Sequence, residues 1–221
     1  MKTLCALAIL LSSSVALART DRAGTELRPD HPGVDFAVRV GYAIPFGDVD
    51  AGNGLASRLD GAVPFVFEAN YRFNRTLSAG PFFQYAIARV KDGNNLGCGD
   101  GVDCSGWVVR AGGQIIAHLD VGSIAVPWVG LGLGYEWLNV SGRVGNISGT
   151  VSDNGWEFAT LQGGADIFVA PGFALGPFVS FSIARYGNTA GSIGTGSASG
   201  DIQNPAVHEW LQVGARFAFS L

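Results

Sequence analysis

The chain has little charge, almost no lysine and no long apolar run. Charged residues make up only 14% of the 221 residues, and Lys91 is the only lysine besides Lys2. The net charge of −4 argues against a nucleic acid partner, which requires clustered basic residues. No stretch approaches the roughly 20 consecutive apolar residues of a transmembrane helix. Glycine is instead abundant, at 33 residues, and 48% of the chain is hydrophobic. This combination suits a membrane sheet better than a soluble core.

The N-terminus has the charged start, apolar core and small-residue ending that are typical of a secretory signal peptide. The apolar core follows Lys2, and the segment ends at Ala18. We therefore predict a signal peptide over 1–18, a flexible periplasmic segment over 19–33 and a membrane domain over 34–221. Without the signal peptide, 13 of the 14 basic residues remain against 18 acidic ones.

Eight later segments alternate between apolar side chains and polar or very small ones, with the length of about 9 to 11 residues that a tilted membrane strand requires. They lie at 34–43, 65–73, 79–88, 109–119, 129–137, 161–169, 175–184 and 211–221. One face of each segment is continuously apolar, whereas the other mixes charges, amides and glycine. This apolar-out, polar-in pattern is typical of a transmembrane barrel, because a water-soluble barrel with an apolar interior would show the reverse.

The connections between these segments alternate between long and short. The long ones are 47–60, 90–106, 139–155 and 187–205, and the short ones are 74–76, 120–124 and 170–172. Outer-membrane barrels combine short periplasmic turns with long external loops, and both chain ends fall on the short-turn side. The sequence therefore predicts an all-β fold, an eight-stranded antiparallel up-and-down transmembrane β-barrel.

The inward-facing positions carry charges of both signs. An eight-stranded barrel is just wide enough for side chains to fill its interior, so these groups should pair across a closed lumen. A narrow polar path for small solutes is the alternative. The glycines at 130, 132 and 134 either make room for arginines or leave a gap. The predicted lumen-facing residues are Arg39, Glu68, Asn70, Arg72, Arg110, Gln114, His118, Glu136, Gln162, Asp166, Gln212 and Arg216.

Aromatic residues near the strand ends predict two interfacial belts. Trp156 and Trp210 do not lie on the outward-facing positions of their strands unless a bulge shifts the register, or else they stand above the hydrocarbon. Glu157 would otherwise face the lipid, which favours a bulge near the start of the sixth segment. The predicted girdle comprises Trp107, Trp137, Trp156, Trp210, Phe217 and Phe219.

Cys98 and Cys104 share one polar stretch that would meet an oxidising compartment during export, which predicts a short loop disulfide. The histidines His31, His118 and His208 are scattered, so no metal site or cofactor is predicted. An enzyme would need a nucleophile and a base close together near the rim, and the sequence offers no compact pair of this kind. We therefore predict that the protein is not an enzyme.

The end of the first strand, 41–48 (GYAIPFGD), and the alternating C-terminal strand, 211–221, resemble the small OmpA/OmpX-like and OmpW-like outer-membrane barrel families. The resemblance implies a bacterial outer-membrane location and contact with membrane lipid and lipopolysaccharide. It also implies that the barrel-assembly machinery recognises the C-terminal strand. We expect a monomer with a structural or surface-interaction role. A narrow channel for small solutes is the alternative, and a lipid-modifying barrel enzyme is a remote one.

Overall fold

A computed structural model describes residues 27, 31–50, 52–93, 98–99, 101–119 and 124–221. The predicted signal peptide over 1–18 lies outside these residues, as does most of the predicted periplasmic segment over 19–33. Within the described part of the chain, no helix combines the length and apolar character needed to cross a membrane.

The described residues form ten strands and one short helix. The bounds are β1 (Gly33–Asp50), β2 (Asn53–Gly54), α1 (Leu55–Arg58), β3 (Leu59–Arg72), β4 (Leu77–Val90), β5 (Asp103–His118), β6 (Ala125–Val144), β7 (Ile147–Ala170), β8 (Phe173–Ile193), β9 (Gly196–Asp201) and β10 (His208–Ser220). Eight of the strands pair antiparallel in the order β1, β3, β4, β5, β6, β7, β8 and β10, and β10 pairs with β1 to close the ring. The predicted eight-stranded up-and-down barrel is confirmed. The short strands β2 and β9 are hairpin partners of β1 and β8 above this ring.

The alternation of the sequence becomes an apolar outer surface and a polar interior. On β6, Leu131 and Leu133 are 63% and 59% exposed, whereas Glu136 is fully buried. Successive strand residues point to opposite faces, so one register fixes both surfaces. The outward apolar band faces lipid, which is the arrangement of an outer-membrane barrel. The predictions of fold and of membrane location are confirmed.

A bulge in β7 exchanges the inward-facing and outward-facing positions of the strand, as expected from Trp156 and Glu157. The pairing of β7 with β8 shifts between Glu157 and Ala159. As a result Trp156 is 60% exposed on the outer surface and Glu157 is 1% exposed inside. The extra residue at the bulge therefore keeps a carboxylate out of the lipid.

Two of the predicted long connections are largely strand. The segment 139–155 is a hairpin in which β6 pairs with β7 as far as Val144 and Ile147. The segment 187–205 contains the β8–β9 hairpin. Both turns place a glycine at positive φ, Gly145 at 55° and Gly194 at 58°, a conformation that glycine adopts without steric cost. Their polar composition indicated loops, but alternating small and β-branched residues allow pairing to continue above the membrane.

The connection between β1 and β3 folds into the external mouth of the barrel. Leu55 of α1, Val49 and Leu59 are almost completely buried. Arg58 Nη1 donates to Asp153 Oδ2 of β7 at 2.9 Å and so ties α1 to the opposite wall. The apolar cluster formed here, called the mouth cluster below, comprises Ala43, Val49, Leu55, Leu59, Ala62, Ala86, Ala88, Val108, Leu138, Val140, Tyr186 and Trp210.

Candidate functional site

All twelve predicted lumen-facing residues lie inside the barrel. Their exposure ranges from 0% for Glu136 to 8% for His118. They reach one another across the ring because strands on opposite sides of so narrow a barrel are within reach of long side chains. Hydrogen bonds and ion pairs arrange them in successive levels along the barrel axis.

The level in the periplasmic half is a chain of alternating charges. Arg39 Nε lies 2.6 Å from Glu68 Oε1, and Arg216 Nη2 lies 3.2 Å from Glu68 Oε2. Arg216 Nη1 also donates to Asp166 Oδ2, whose other neighbour is His118 Nε2 at 3.5 Å. Each carboxylate therefore meets more than one cationic or imidazole nitrogen.

Amide side chains form the next level and connect the charges across the lumen. Arg39 Nη1 donates to Gln162 Oε1 at 2.6 Å, and Gln162 Nε2 donates to Gln114 Oε1 at 2.8 Å. Gln114 Nε2 donates to Asn70 Oδ1 at 3.2 Å, and Asn70 Nδ2 donates to Glu68 Oε2 at 3.4 Å. This continuous network joins side chains from β1, β3, β5 and β7.

Glu136 is the acceptor on which the level in the external half converges. Arg110 Nε lies 3.2 Å from its Oε2. Trp210 Nε1 donates to its Oε1 at 3.2 Å, His208 Nε2 lies 3.1 Å from the same oxygen, and the Tyr186 hydroxyl donates to it as well. The Tyr186 and His208 rings stack with their centroids 4.1 Å apart. Four side chains from three strands thus share one buried carboxylate.

Arg110 bridges Glu136 to a second carboxylate. Its Nη2 is paired with Glu157, which also accepts a hydrogen bond from the Thr160 hydroxyl. Arginine suits this position because its planar guanidinium can meet two carboxylates at once and stays charged. Removing one member of such a buried set leaves an uncompensated charge, which is strongly destabilising.

The periplasmic end is closed by Arg72. Its Nη1 is paired with Asp35, its Nε donates to the carbonyl oxygen of His31 at 3.1 Å, and its Nη2 donates to that of Leu221 at 3.3 Å. One guanidinium therefore holds the two ends of the barrel chain together.

Little open space remains between these levels. The cavity at the centre of the lumen has a volume of about 10 Å³, which is room for roughly one water molecule. The space beside the glycines of β6 is occupied: a Cβ at Gly130 would lie 3.0 Å from Gln162 Nε2, and one at Gly134 would lie 3.3 Å from the Phe82 ring. Glutamine and phenylalanine side chains fill this space, rather than the arginines that the sequence suggested.

Trp210 corrects the predicted girdle. It is 2% exposed, lies inside the barrel and donates to Glu136. The prediction was wrong because Trp210 shares the inward parity of Gln212, and β10 pairs with both of its neighbours in an unbroken register that leaves Trp210 facing inward. Among the other predicted girdle residues, Trp137, Trp156, Phe217 and Phe219 are exposed and Trp107 is half-buried.

Sequence reasoning missed several lumen residues. Asp35 and Gln84 lie on the polar faces of the first and third segments, so their parity could have identified them. His208 and Tyr186 lie beyond the segment ends that were predicted, and Glu157 needed the exact position of the bulge. All five are buried.

The predicted disulfide is present between Cys98 and Cys104. Among the described residues, no group of three or more histidine, cysteine, aspartate or glutamate side chains could hold a metal ion.

No family model and no curated protein sequence matches the chain. Solved structures do match. A major outer membrane protein from Thermus thermophilus is 14% identical with a TM-score of 0.57, covering 84% of this chain and 99% of that chain. OprG from Pseudomonas aeruginosa is 15% identical with a TM-score of 0.49, covering 87% and 99%. The chain has the fold of the small outer-membrane β-barrel proteins. Ail of Yersinia pestis is 12% identical with a TM-score of 0.46, covering 85% of this chain and 99% of that chain. At these identities the likeness concerns the fold.

Proposed function

We propose that the protein is a monomeric, non-conducting and non-enzymatic barrel of the bacterial outer membrane, whose external strands carry a structural or surface-interaction role. The observation that carries this proposal is a lumen blocked in two ways. Ion-paired side chains fill the membrane-spanning part, and the mouth cluster fills the external end. A central cavity of about 10 Å³ is far too small for a hydrated ion.

Opening this lumen would require several coupled changes. Arg110 would have to leave Glu136 and Glu157, and Arg216 would have to leave Glu68 and Asp166. Breaking a buried pair costs about 3–5 kcal/mol when the remaining charge stays uncompensated. Opening requires both arginines to leave their carboxylates and apolar side chains to leave the mouth. Spontaneous opening is therefore rare.

The external strands support the surface role. β6, β7 and β8 have 20, 24 and 21 residues, about twice what the membrane requires. The excess projects outward and is available to partners. We propose lipopolysaccharide as the surroundings of the external end of the apolar band, where Trp156 is exposed, and membrane phospholipid as those of the periplasmic end, where Phe217 and Phe219 are exposed. Recognition of β10 by the barrel-assembly machinery also remains a proposal, as do the signal peptide over 1–18 and the periplasmic segment over 19–33.

Planar-bilayer recording tests the closed lumen. The wild-type protein should insert without discrete current steps. A variant with Arg110→Ser, Glu136→Ser and Glu157→Ser removes one charged level and should also insert without discrete current steps, because the mouth cluster and the charged level in the periplasmic half still block the lumen. Insertion of each protein is verified independently by the gel-mobility shift of folded barrels in the same vesicles. Reproducible discrete conductance of wild type would overturn the proposal and favour a narrow channel for small solutes. Hydrolysis or acyl transfer on lipopolysaccharide would overturn its non-enzymatic part.

A further inference from the structure

The polarity of the two sheet faces reverses where β6 leaves the membrane. Its outward residues are apolar from Val129 to Trp137, but the next ones are Asn139, Ser141 and Arg143. The inward residues change in the opposite sense: Glu136 is followed by Leu138 and Val140, which belong to the mouth cluster, and then by Gly142 and Val144. The external sheet is therefore polar outside and apolar inside, as expected of a protein surface surrounded by water.

The apolar inner face of this extension surrounds a cavity of about 630 Å³. Its walls come from β6, β7, β8 and β9 and from Cys98 and Val102. Val144, Ile147 and Ile193 line it, yet they remain 55%, 64% and 73% exposed. Large apolar side chains that face inward and stay this exposed lack the packing that the rest of the inner face has.

Glycine keeps the cavity open. The four cavity-lining glycines Gly142, Gly149, Gly191 and Gly196 are not among the residues with positive φ. A Cβ added at any of them would meet its nearest neighbour at 3.4 Å or more, which is ordinary contact. Their backbone therefore tolerates a side chain, and a side chain there would take up cavity volume.

The floor of the cavity is closed. Val140 lines the cavity and is only 4% exposed, because it packs into the mouth cluster. The space is therefore a cup that opens away from the membrane, and it does not continue into the ion-paired lumen.

We propose that this cup binds an uncharged, predominantly apolar small molecule. Among the described residues that line it, none is charged, and the polar ones are threonine and serine. A charged ligand would lose hydration there without gaining a counter-charge. The volume falls within the range of about 300–1,000 Å³ of small-molecule sites. Because it names the ligand class of the external strands, this inference rests on the proposed surface-interaction role.

Methyl NMR of the full-length barrel in lipid nanodiscs tests the proposal with the neutral apolar probe N-phenyl-1-naphthylamine. The Ile147 and Ile193 methyl groups should shift with saturation as probe is added. Ile87 and Ile115 face the lipid, and their response reports partition of the probe into the membrane. Shifts confined to Ile87 and Ile115, or no saturation at the two cup isoleucines, would overturn the proposal.

A matched pair of variants separates the cup from the opposite face of the same strand. Gly149→Leu places a side chain in the cup and should weaken probe binding at least tenfold. Ser148→Leu adds the same side chain to the other face and should leave binding within twofold. Equal affinities of two folded variants would overturn the proposal. Conductance is recorded on the same samples: saturable binding together with discrete current would refute the closed lumen and leave the cup standing.

Discussion

Replacing Glu136 by leucine removes the acceptor on which the external level of the lumen converges. In the wild-type protein this fully buried carboxylate accepts from Tyr186 and Trp210, lies 3.1 Å from His208 Nε2 and pairs with Arg110 at 3.2 Å. Leucine has a similar size and offers no acceptor. The substitution therefore tests whether the buried network stabilises the barrel.

The magnitude follows from the groups that lose their partner. A buried donor left unsatisfied costs about 1–3 kcal/mol, and the Tyr186 hydroxyl and Trp210 Nε1 would both lose this acceptor. Arg110 keeps Glu157, so its loss is partial. We expect Glu136→Leu to lower the free energy of unfolding by about 4 kcal/mol, from two such donors and the weakened arginine. Glu136→Gln keeps one acceptor oxygen for Tyr186 and Trp210 but places an amide NH2 donor beside Arg110, and it should cost about half as much.

Equilibrium urea unfolding in phospholipid vesicles, followed by circular dichroism, measures both variants. Asp201→Asn is the control because this carboxylate is exposed on β9, and surface substitutions of this kind change stability by less than about 0.5 kcal/mol. If Glu136→Leu and Glu136→Gln both fell within about 1 kcal/mol of wild type, the low end of the cost of a single unsatisfied donor, the reasoning that this network stabilises the barrel would be refuted.

Neighbouring glycines should respond differently to alanine. A Cβ at Gly112 would lie 2.7 Å from a backbone Cα of the adjacent strand, whereas a Cβ at Gly113 would have no neighbouring atom within 4 Å. We expect Gly112→Ala to lower the free energy of unfolding by about 1–3 kcal/mol and Gly113→Ala by less than about 0.5 kcal/mol. The same urea assay measures both. In single-tryptophan variants, brominated lipid should quench the fluorescence of Trp156 and leave that of Trp210 nearly unchanged, and equal quenching would contradict the assignment of Trp210 to the lumen. Mass spectrometry of protein extracted from outer membranes should show cleavage after Ala18, and an intact N-terminus would contradict the proposed signal peptide.

The membrane-spanning part of the fold could be predicted because one physical rule applies to every strand. Lipid requires an apolar outer face, and the pleat alternates the faces, so parity alone placed residues such as Glu68 and Gln162 inside. The bulge at Glu157 could be predicted for the same reason, since a carboxylate at outward parity would be costly in lipid. The partners within the lumen could not be predicted, because they depend on side chains that meet across the ring from strands distant in sequence.

The external part could not be predicted in the same way. Serine, glycine and asparagine in 139–155 and 187–205 indicated loops, and the inward fold of Leu55 left no periodic pattern in its short segment. Trp210 shows the same difficulty at a single position. Its size suggested an interfacial anchor, but its indole nitrogen found an acceptor inside the barrel, a common arrangement for buried tryptophan.

The reversal of polarity along β6 explains why the same alternation of apolar and polar residues places the apolar side chains outside in the membrane half of the strand and inside in its external half. A period of two residues fixes which side chains share a face, but the surrounding medium decides which face must be apolar. Up to Trp137 the medium is lipid, and the apolar side chains are outside; from Leu138 onward it is water, and they are inside. An apolar face turned toward water-filled space needs a cover. Near the membrane the mouth cluster provides it through Leu55, whereas around Ile147 and Ile193 the inner face stays exposed. A bound apolar molecule would therefore add most to the stability of the external sheet in this uncovered stretch. Probe binding should slow hydrogen exchange of the β6–β7 hairpin amides more than that of the amides within the membrane.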